Sequence, residues 1–373
     1  MIRAPLHATV RERFWLLALF GMACLAGPAG AEPLYESRWT IAPGIFLSNQ
    51  APTLAALADG TLLVCWPAGS TEKARDVKIY CSRSGPGARS WEPPRPVVER
   101  GERAQGWWLR NLTVSNPVLF LDHQRYLWLF YAAVDAPFGW SGSHVDYKVS
   151  SDLGRSWGPG RRLVAGWGNL PRNKALALDS AGRIMLPAYQ ELFGTYGFVL
   201  ELTVSRGAIE GVKSRRIPGG DHLQPALAWT EPRRVVAYLR SAIWSVAHVL
   251  RSEYDEAGDR WSQPQALALP NPKSAVDAVN TADGGILLAY NDSPTLRTPL
   301  SLAYSRDSWR FTKIWDLERE PDLRFSYPAM IRAADGMYHL VYRAQEGEAP
   351  AAIKHVMFNQ EWLALRIRAA RSG

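Results

Sequence analysis

Beyond residue 31 the sequence has no apolar run long enough to cross a bilayer, which excludes a helical membrane span from most of the chain. Lys and Arg are scattered, and no run of them forms the dense basic patch that a nucleic-acid partner requires. Cysteine is scarce, with three in 373 residues, and there are seven His. Neither stands at metal-ligand spacing, so no metal and no other cofactor is expected. Amphipathic runs with a 3.6-residue period are also missing, which excludes a helical bundle or solenoid.

The one long apolar stretch lies at the start. Arg3, Arg11 and Arg13 precede the run Phe14 to Leu25, and Gly27-Pro28-Ala29-Gly30-Ala31 follows it. Ala29 and Ala31 supply the small-residue cleavage pattern. Residues 1–31 are therefore expected to be a secretory signal peptide. The protein is expected to be exported, periplasmic or secreted, with no stable membrane insertion after cleavage. Three bases and one acid leave with the signal, so the net charge falls from +8 to +6. Such an excess suits an anionic partner, and it equally serves solubility. Cys65 and Cys81 lie on two strand-like segments, Thr61–Trp66 and Val77–Arg83, joined by one loop. An oxidising compartment permits a bridge between such neighbours, and a one-residue slip in register would prevent it.

A repeat organises the rest. Pro52 leads to Asp59-Gly60 and then Leu62-Leu63-Val64-Cys65-Trp66. Val276 leads to Asp283-Gly284 and ends at Tyr290, and Pro328 leads to Asp335-Gly336 and ends at Tyr342. In each copy the Gly stands eight residues after the anchor and the aromatic fourteen after it. Weaker copies start at Pro117, Lys174 and Pro225. Six units of about fifty residues, rich in short strands and turn signals, predict an all-β, six-bladed β-propeller over residues 32–362. Arg38–Leu47 reads as a strand that completes the last blade. Residues 363–373 read as a basic tail whose alternating Leu363, Leu365 and Ile367 start a last short strand.

One motif is more specific than the repeat. Ser150-Ser151-Asp152-Leu153-Gly154-Arg155-Ser156-Trp157 matches S-x-D-x-G-x-x-W, the Asp box of sialidases. Asp and Ser cap a tight turn there, and Gly permits positive φ. Further family-like stretches include Asn116-Pro117, Arg172-Asn173-Lys174, Leu223-Gln224-Pro225, Leu269 to Val279, Ser326-Tyr327-Pro328 and Ile353-Lys354-His355. Across most of residues 45–358 the chain resembles the BNR-repeat, sialidase-like (neuraminidase-like) family. That resemblance implies a glycosidase on a carbohydrate substrate. It also implies three Arg that clamp a carboxylate, a Tyr–Glu nucleophile and an acid/base Asp. The sequence departs from this pattern at Gln50-Ala51, where an R-I-P motif would supply the first Arg.

The repeat frame points to the centre independently. The position before the anchor reads Ala51, Asn116, Asn173, Gln224, Ala275 and Tyr327. Offset fifteen reads Pro67, Ala132, Tyr189, Arg240, Asn291 and Arg343. Side chains alternate along a strand, so these residues should face away from the blade cores. Arg240 and Arg343 are expected to bind substrate, with Asn116, Asn173, Lys174, Gln224, Asp277, Asn291 and Lys354 as further candidates. The Asn and Gln equally suit satisfaction of backbone groups at strand ends. The family resemblance implies Tyr327 as nucleophile or base, and Glu72 or Asp76, on the loop before Val77, as proton donor. His222 is a weaker candidate. Trp107-Trp108 either stack on a sugar or seal a blade joint. The expected function is an exported, exo-sialidase-like glycoside hydrolase acting on an acidic sugar. A uronate-directed lyase and a non-catalytic glycan-binding propeller are the alternatives.

Overall fold

Each anchor opens an antiparallel meander, and the chain makes six of them. In the computed structural model, which describes residues 31–231 and 234–372, the sheets follow one another in sequence order. Residues 1–30, nearly all of the expected signal peptide, lie outside the described residues. Blade 1 runs from Ser48–Asn49 and Thr53–Ala56 through Leu62–Gly69 and Lys78–Arg83 to Arg95–Val98. Blade 2 uses Thr113–Leu121, Leu127–Val134, Ser143–Ser150 and Arg161–Val164. Blade 3 is built on Arg183–Gln190, blade 4 on Arg234–Ser241 and blade 5 on Ile286–Asn291 as second strands. Blade 6 has three strands of its own, Leu323–Arg332, Tyr338–Glu346 and Ala352–Phe358. Its fourth strand is Tyr35–Ile41, paired antiparallel with Ala352–Phe358, so the N-terminal segment closes the ring. That strand is earlier than expected, because Pro43-Gly44 breaks it and Gly44 takes φ 92°.

The cores lie between blades. One cluster joins Val114, Leu119 and Leu129 of blade 2 to Leu63, Cys65 and Ile79 of blade 1. Equivalent clusters join each following pair of blades. The sixth seats Trp66 and Val64 of blade 1 against Ala329, Val341 and Ile353 of blade 6, with Ile41 from the closing strand. The aromatics that end the repeat, Trp66, Tyr131, Tyr238, Tyr290 and Tyr342, are all buried in these seams. Tyr189 is the exception. The extra residue in its blade places it on the other face of its strand, with Ala132, Leu170 and Leu223.

The C-terminal segment corrects the sequence reading. It is the helix Gln360–Ser372, not a short strand. Leu363 and Ile367 satisfy both a period of two and a spacing of i, i+4, and Trp362 decides for the helix. Trp362, Leu363 and Ile367 pack on blades 5 and 6, whereas Leu365 faces water. Asn359 caps the helix, accepting the Trp362 amide at 3.0 Å. Among the described residues no helix is long and apolar enough to cross a membrane.

Cys65 and Cys81 stand directly opposite each other in register and form a disulfide. They are sixteen residues apart. Closing so short a loop stabilises by about 3 kcal/mol. The chain from residue 32 should show no free thiol until it is reduced, and Cys65→Ala/Cys81→Ala should lower chemical-denaturation stability by about that amount.

A second prediction concerns acid. His339 and His355 are buried, stacked and joined by one hydrogen bond of 3.1 Å. Burial pushes His339 down to about 4 and His355 to about 3, and for His355 the neighbouring His339 adds to the shift. Both folded-state values lie below the unfolded value. Their contribution is therefore complete above pH 6.5 and is lost as pH falls toward 4, at about 1.4 kcal/mol per pH unit for each proton taken up on unfolding. Thermal melts from pH 7 to 4 should show this slope, and His339→Gln/His355→Leu should flatten it.

Candidate active site

The meander fixes which residues meet. Turns between first and second strands, and between third and fourth, lie at one end of the propeller. Loops between second and third strands, and the links between blades, lie at the other. The acidic-Gly turns and the Ser150–Trp157 turn belong to the first end. In that turn Asp152 accepts from Ser156 N at 2.9 Å and Ser150 Oγ at 2.6 Å, and Gly154 takes φ 84°. These hydrogen bonds outweigh the slight desolvation of Asp152 and lower its pKa to about 2. This network holds a hairpin on the outer strands.

The candidate residues belong to the second end. The position before the anchor carries positive φ in five of six blades: Ala51, Asn116, Asn173, Gln224 and Tyr327. In blades 2, 4 and 6 the ladder register shifts there. In these three blades the inner strand bulges at this position. Asn116 Nδ2 donates to Tyr189 Oη at 2.8 Å, as does Gln224 Nε2 at 3.4 Å, and Arg240 Nη1 donates to Gln224 Oε1 at 3.2 Å. Burial holds the Tyr189 hydroxyl protonated well beyond its usual range. Asn173 donates to the Gln224 and Pro225 carbonyls at 3.1 and 2.9 Å and so ties blade 3 to blade 4.

Two cations cross the axis. Lys174 pairs with buried Asp277 at 2.9 Å, linking blades 3 and 5, and Asp277 also accepts the Met330 amide of blade 6 at 2.6 Å. Arg172 is only 1% exposed and reaches the carbonyls of Pro52 at 3.2 Å and Pro328 at 3.4 Å. Its guanidinium lies 5.2 Å from the Tyr327 ring. Burial lowers its pKa, while Tyr327, Asp277 and Tyr189 oppose that shift.

Around Tyr327 positive charge gathers. Arg343 donates to the Asn49 carbonyl at 3.0 Å and to Gln345, and Arg297 donates to Ser326 Oγ at 3.1 Å. Burial depresses the Arg343 pKa, and Tyr327 and Glu72 counteract it. Arg172, Arg240, Arg297 and Arg343 thus all bond neutral oxygens, and the buried Nε atoms of Arg172 and Arg240 bond nothing among the described residues. Two carboxylates face them. Glu72 is exposed on the blade 1 loop. Glu191, on the blade 3 loop, is partly buried, and its pKa is raised by burial and by Glu72 against the pull of Arg240 and Lys73.

Several candidates lie elsewhere or are committed to the scaffold. Lys354 is on the third strand of blade 6, pairs with Glu318 and covers Trp39, so it does not reach the axis. Asn291 is fully buried and bonds Ser274 and the Phe325 and Pro299 carbonyls. Asp76 accepts both the amide and the hydroxyl of Ser70 at 2.9 Å and shapes its loop. His222 accepts the Gly197 amide at 3.1 Å and bonds the Pro218 carbonyl at 2.9 Å. Sequence reasoning missed Arg172, Arg297 and Glu191 as site residues. Arg172 stands two residues before an anchor, and the other two lie in loops outside the repeat frame. A groove of about 1120 Å³ opens on the outer strands, lined by Arg251, Tyr254, Trp261 and Trp309. Arg251 is paired there with Glu253 at 2.6 Å, so the groove carries less unneutralised charge than the axis.

Comparison with known proteins agrees with this architecture. A model of the BNR repeat-like domain family matches residues 60–340. The fold is similar to the NanB sialidase of Streptococcus pneumoniae, with a TM-score of 0.71 and 11% identity over 86% of this chain and 70% of that one. It is similar to the intramolecular trans-sialidase of Ruminococcus gnavus, with a TM-score of 0.69 and 12% identity over 87% of this chain and 98% of that one. It is also similar to the α-L-arabinanase of Penicillium chrysogenum, with a TM-score of 0.63 and 15% identity over 87% and 98%. No curated protein matches the sequence.

The Lys174–Asp277 pair yields a prediction. Lys174→Met leaves Asp277 buried without its counter-charge and should cost about 3–5 kcal/mol. Adding Asp277→Asn should recover part of that loss, because Asn still offers an acceptor to the Met330 amide. Urea unfolding of the single and double variants measures the coupling.

Proposed function

The chain belongs to the BNR repeat-like domain family, and on that footing we propose that it is an exported, exo-sialidase-like glycoside hydrolase acting on an anionic sugar. One observation carries the reading. Four guanidinium groups gather at the axis, Arg172, Arg297 and Arg343 around Tyr327 and Arg240 beside Tyr189, and none of them bonds a carboxylate among the described residues. Arg172 and Arg343 are buried and Arg240 and Arg297 partly so, and such charge is costly unless an anion binds it. A sugar carboxylate meets that need, because its two oxygens match an Arg fork. The Cys65–Cys81 bridge and the leader-like N-terminus support export to an oxidising compartment.

In this reading Arg240, Arg297 and Arg343 hold the substrate carboxylate. Arg172 keeps positive charge beside the Tyr327 ring while the Tyr327 hydroxyl attacks the anomeric carbon. A neutral tyrosine avoids the repulsion that a carboxylate nucleophile would meet from an anionic sugar. Glu191 retains its proton closer to neutrality than an exposed glutamate and delivers it to the leaving oxygen. Glu72 is the carboxylate that receives the Tyr327 proton. Water then attacks the anomeric carbon as Glu191 takes its proton, Glu72 returns its proton to the Tyr327 oxygen, and the free sugar leaves.

The test is incubation of the mature chain with sialylated and uronate-containing oligosaccharides, followed by product analysis. Arg240→Ala and Arg343→Ala should each lower kcat/KM by at least tenfold, as expected for loss of a charged hydrogen bond. Glu191→Gln should lower kcat by about 10²–10⁴-fold, with a much smaller loss on aryl glycosides whose leaving group needs no proton. Full activity in Arg240→Ala/Arg343→Ala would overturn the clamp. An unsaturated product absorbing in the near ultraviolet would assign elimination in place of hydrolysis.

A further inference from the structure

The end of the propeller that carries the candidate site also carries aromatic rings for which monosaccharide chemistry has no use. Phe138 is 63% exposed and Trp167 43% exposed, and their rings meet edge to face at 6.4 Å. Trp140, on the same blade 2 loop as Phe138, packs against Leu170 and Tyr189. Leu192 and Phe193, directly after Glu191, are exposed as well. Leaving such rings in water is unfavourable by itself.

Their geometry is fixed from beneath. Asp135 is buried and accepts from the indole N–H of Trp107 at 3.2 Å and of Trp167 at 3.3 Å. His144 bonds the same carboxylate at 2.9 Å and Arg162 at 3.3 Å. Arg162 also lies 4.4 Å from the Trp107 ring. The Trp107-Trp108 pair therefore divides. Trp107 belongs to this buried support, and Trp108 stands in solvent. A charged hub that orients two indoles, yet leaves one of them in water, fits a stacking surface better than a core.

The rings are continuous with the proposed chemistry. Ser141, beside Trp140, donates to the Glu191 carbonyl at 3.2 Å. Lys73 lies 5.1 Å from the Trp140 ring, and its charge reaches Glu191. The proton donor thus sits on the border between the cationic pocket and the aromatic face. A ring attached through the oxygen that Glu191 protonates must extend over that face.

We propose that Phe138, Trp140 and Trp167 form a subsite for the sugar on the leaving-group side, so that the substrate is an oligo- or polysaccharide and not a simple glycoside. Asp135 is its positioning residue. The subsite rests on the hydrolase reading for its place in the reaction, but its binding is separable from turnover. Each stacked ring contributes through apolar contact with the C–H face of a sugar, and the ordered indoles limit the entropy lost on binding.

The experiment is affinity electrophoresis of the full chain in gels containing polygalacturonate, alginate, chondroitin sulfate or sialylated mucin. The wild type should be retarded by at least one of these. Phe138→Ala/Trp167→Ala should weaken that retardation tenfold or more, whereas Trp167→Phe, which keeps a ring, should restore much of it. Both positions are exposed, so folding should survive, and circular dichroism checks this. Equal retardation of wild type and double variant would overturn the subsite, and so would the absence of retardation in all four gels. Where hydrolysis is measurable, the double variant should lose at least ten times more kcat/KM on the oligosaccharide than on the aryl glycoside of the same sugar. Equal losses on both would again overturn the subsite while leaving the hydrolase standing. Retardation without any turnover would uphold the subsite and overturn the hydrolase.

Discussion

A four-stranded antiparallel sheet with these residues has two apolar faces, and one blade can bury neither against itself. Each face needs a neighbouring blade, so the structure is satisfied only when the last sheet meets the first. The decisive contact is Trp66 and Val64 packed on Val341 and Ile353, with Ile41 between them. The strand Tyr35–Ile41 makes that seam possible, because it pairs with blade 6 before the chain enters blade 1. Closure leaves no blade as a free end, and it ties residues more than three hundred positions apart.

Closure also determines where chemistry can occur. Six inner strands start around one axis, and in blades 2, 4 and 6 they leave the regular ladder there. The positive φ values at Asn116, Asn173, Gln224 and Tyr327 mark backbone that L-residues adopt at a cost, set within otherwise regular strands. The bulges aim side chains inward that an unbroken strand would direct into a seam. Asn116, Tyr189, Gln224 and Arg240 form a bonded row as a result, and their order around the axis follows the order of the blades.

The scaffold was legible because its signals are local and recur six times. Asp59-Gly60, Asp283-Gly284 and the Ser150–Trp157 turn are short-range devices, and all lie at the end opposite the site. The frame located the axis residues of the strands, and it separated Arg240 and Arg343 from the seam aromatics. It could not reach Arg297 and Glu191, which lie in loops that differ in length and composition from blade to blade. Lys354 resembled a site residue because it sits beside a blade end in sequence. In space two strands separate it from the axis. The C-terminal helix was hidden for a different reason. Leu363 and Ile367 fit both periods, and only the docking of Trp362 beside Phe358 and Trp315 distinguishes them.

The substitution at Gln50-Ala51 has a different meaning once the backbone is placed. No arginine stands at Gln50-Ala51, and Ala51 is buried at that point with φ 26°. Yet a guanidinium does stand beside the blade 1 anchor. Arg172 comes from blade 3, crosses the axis and bonds the Pro52 carbonyl. It bonds the Pro328 carbonyl as well, so one side chain joins blades 3, 1 and 6 under Tyr327. A clamp arginine on blade 1 would have to share this space with a second buried cation, and like charges in a dry site repel strongly. This cation is buried beside the Tyr327 ring and not set at the blade 1 position. In the proposed hydrolase the clamp is then Arg240, Arg297 and Arg343, with Arg297 close to Arg343. On the proposed reading, an anionic ring held by these arginines has Glu191 and the aromatic face on its leaving-group side.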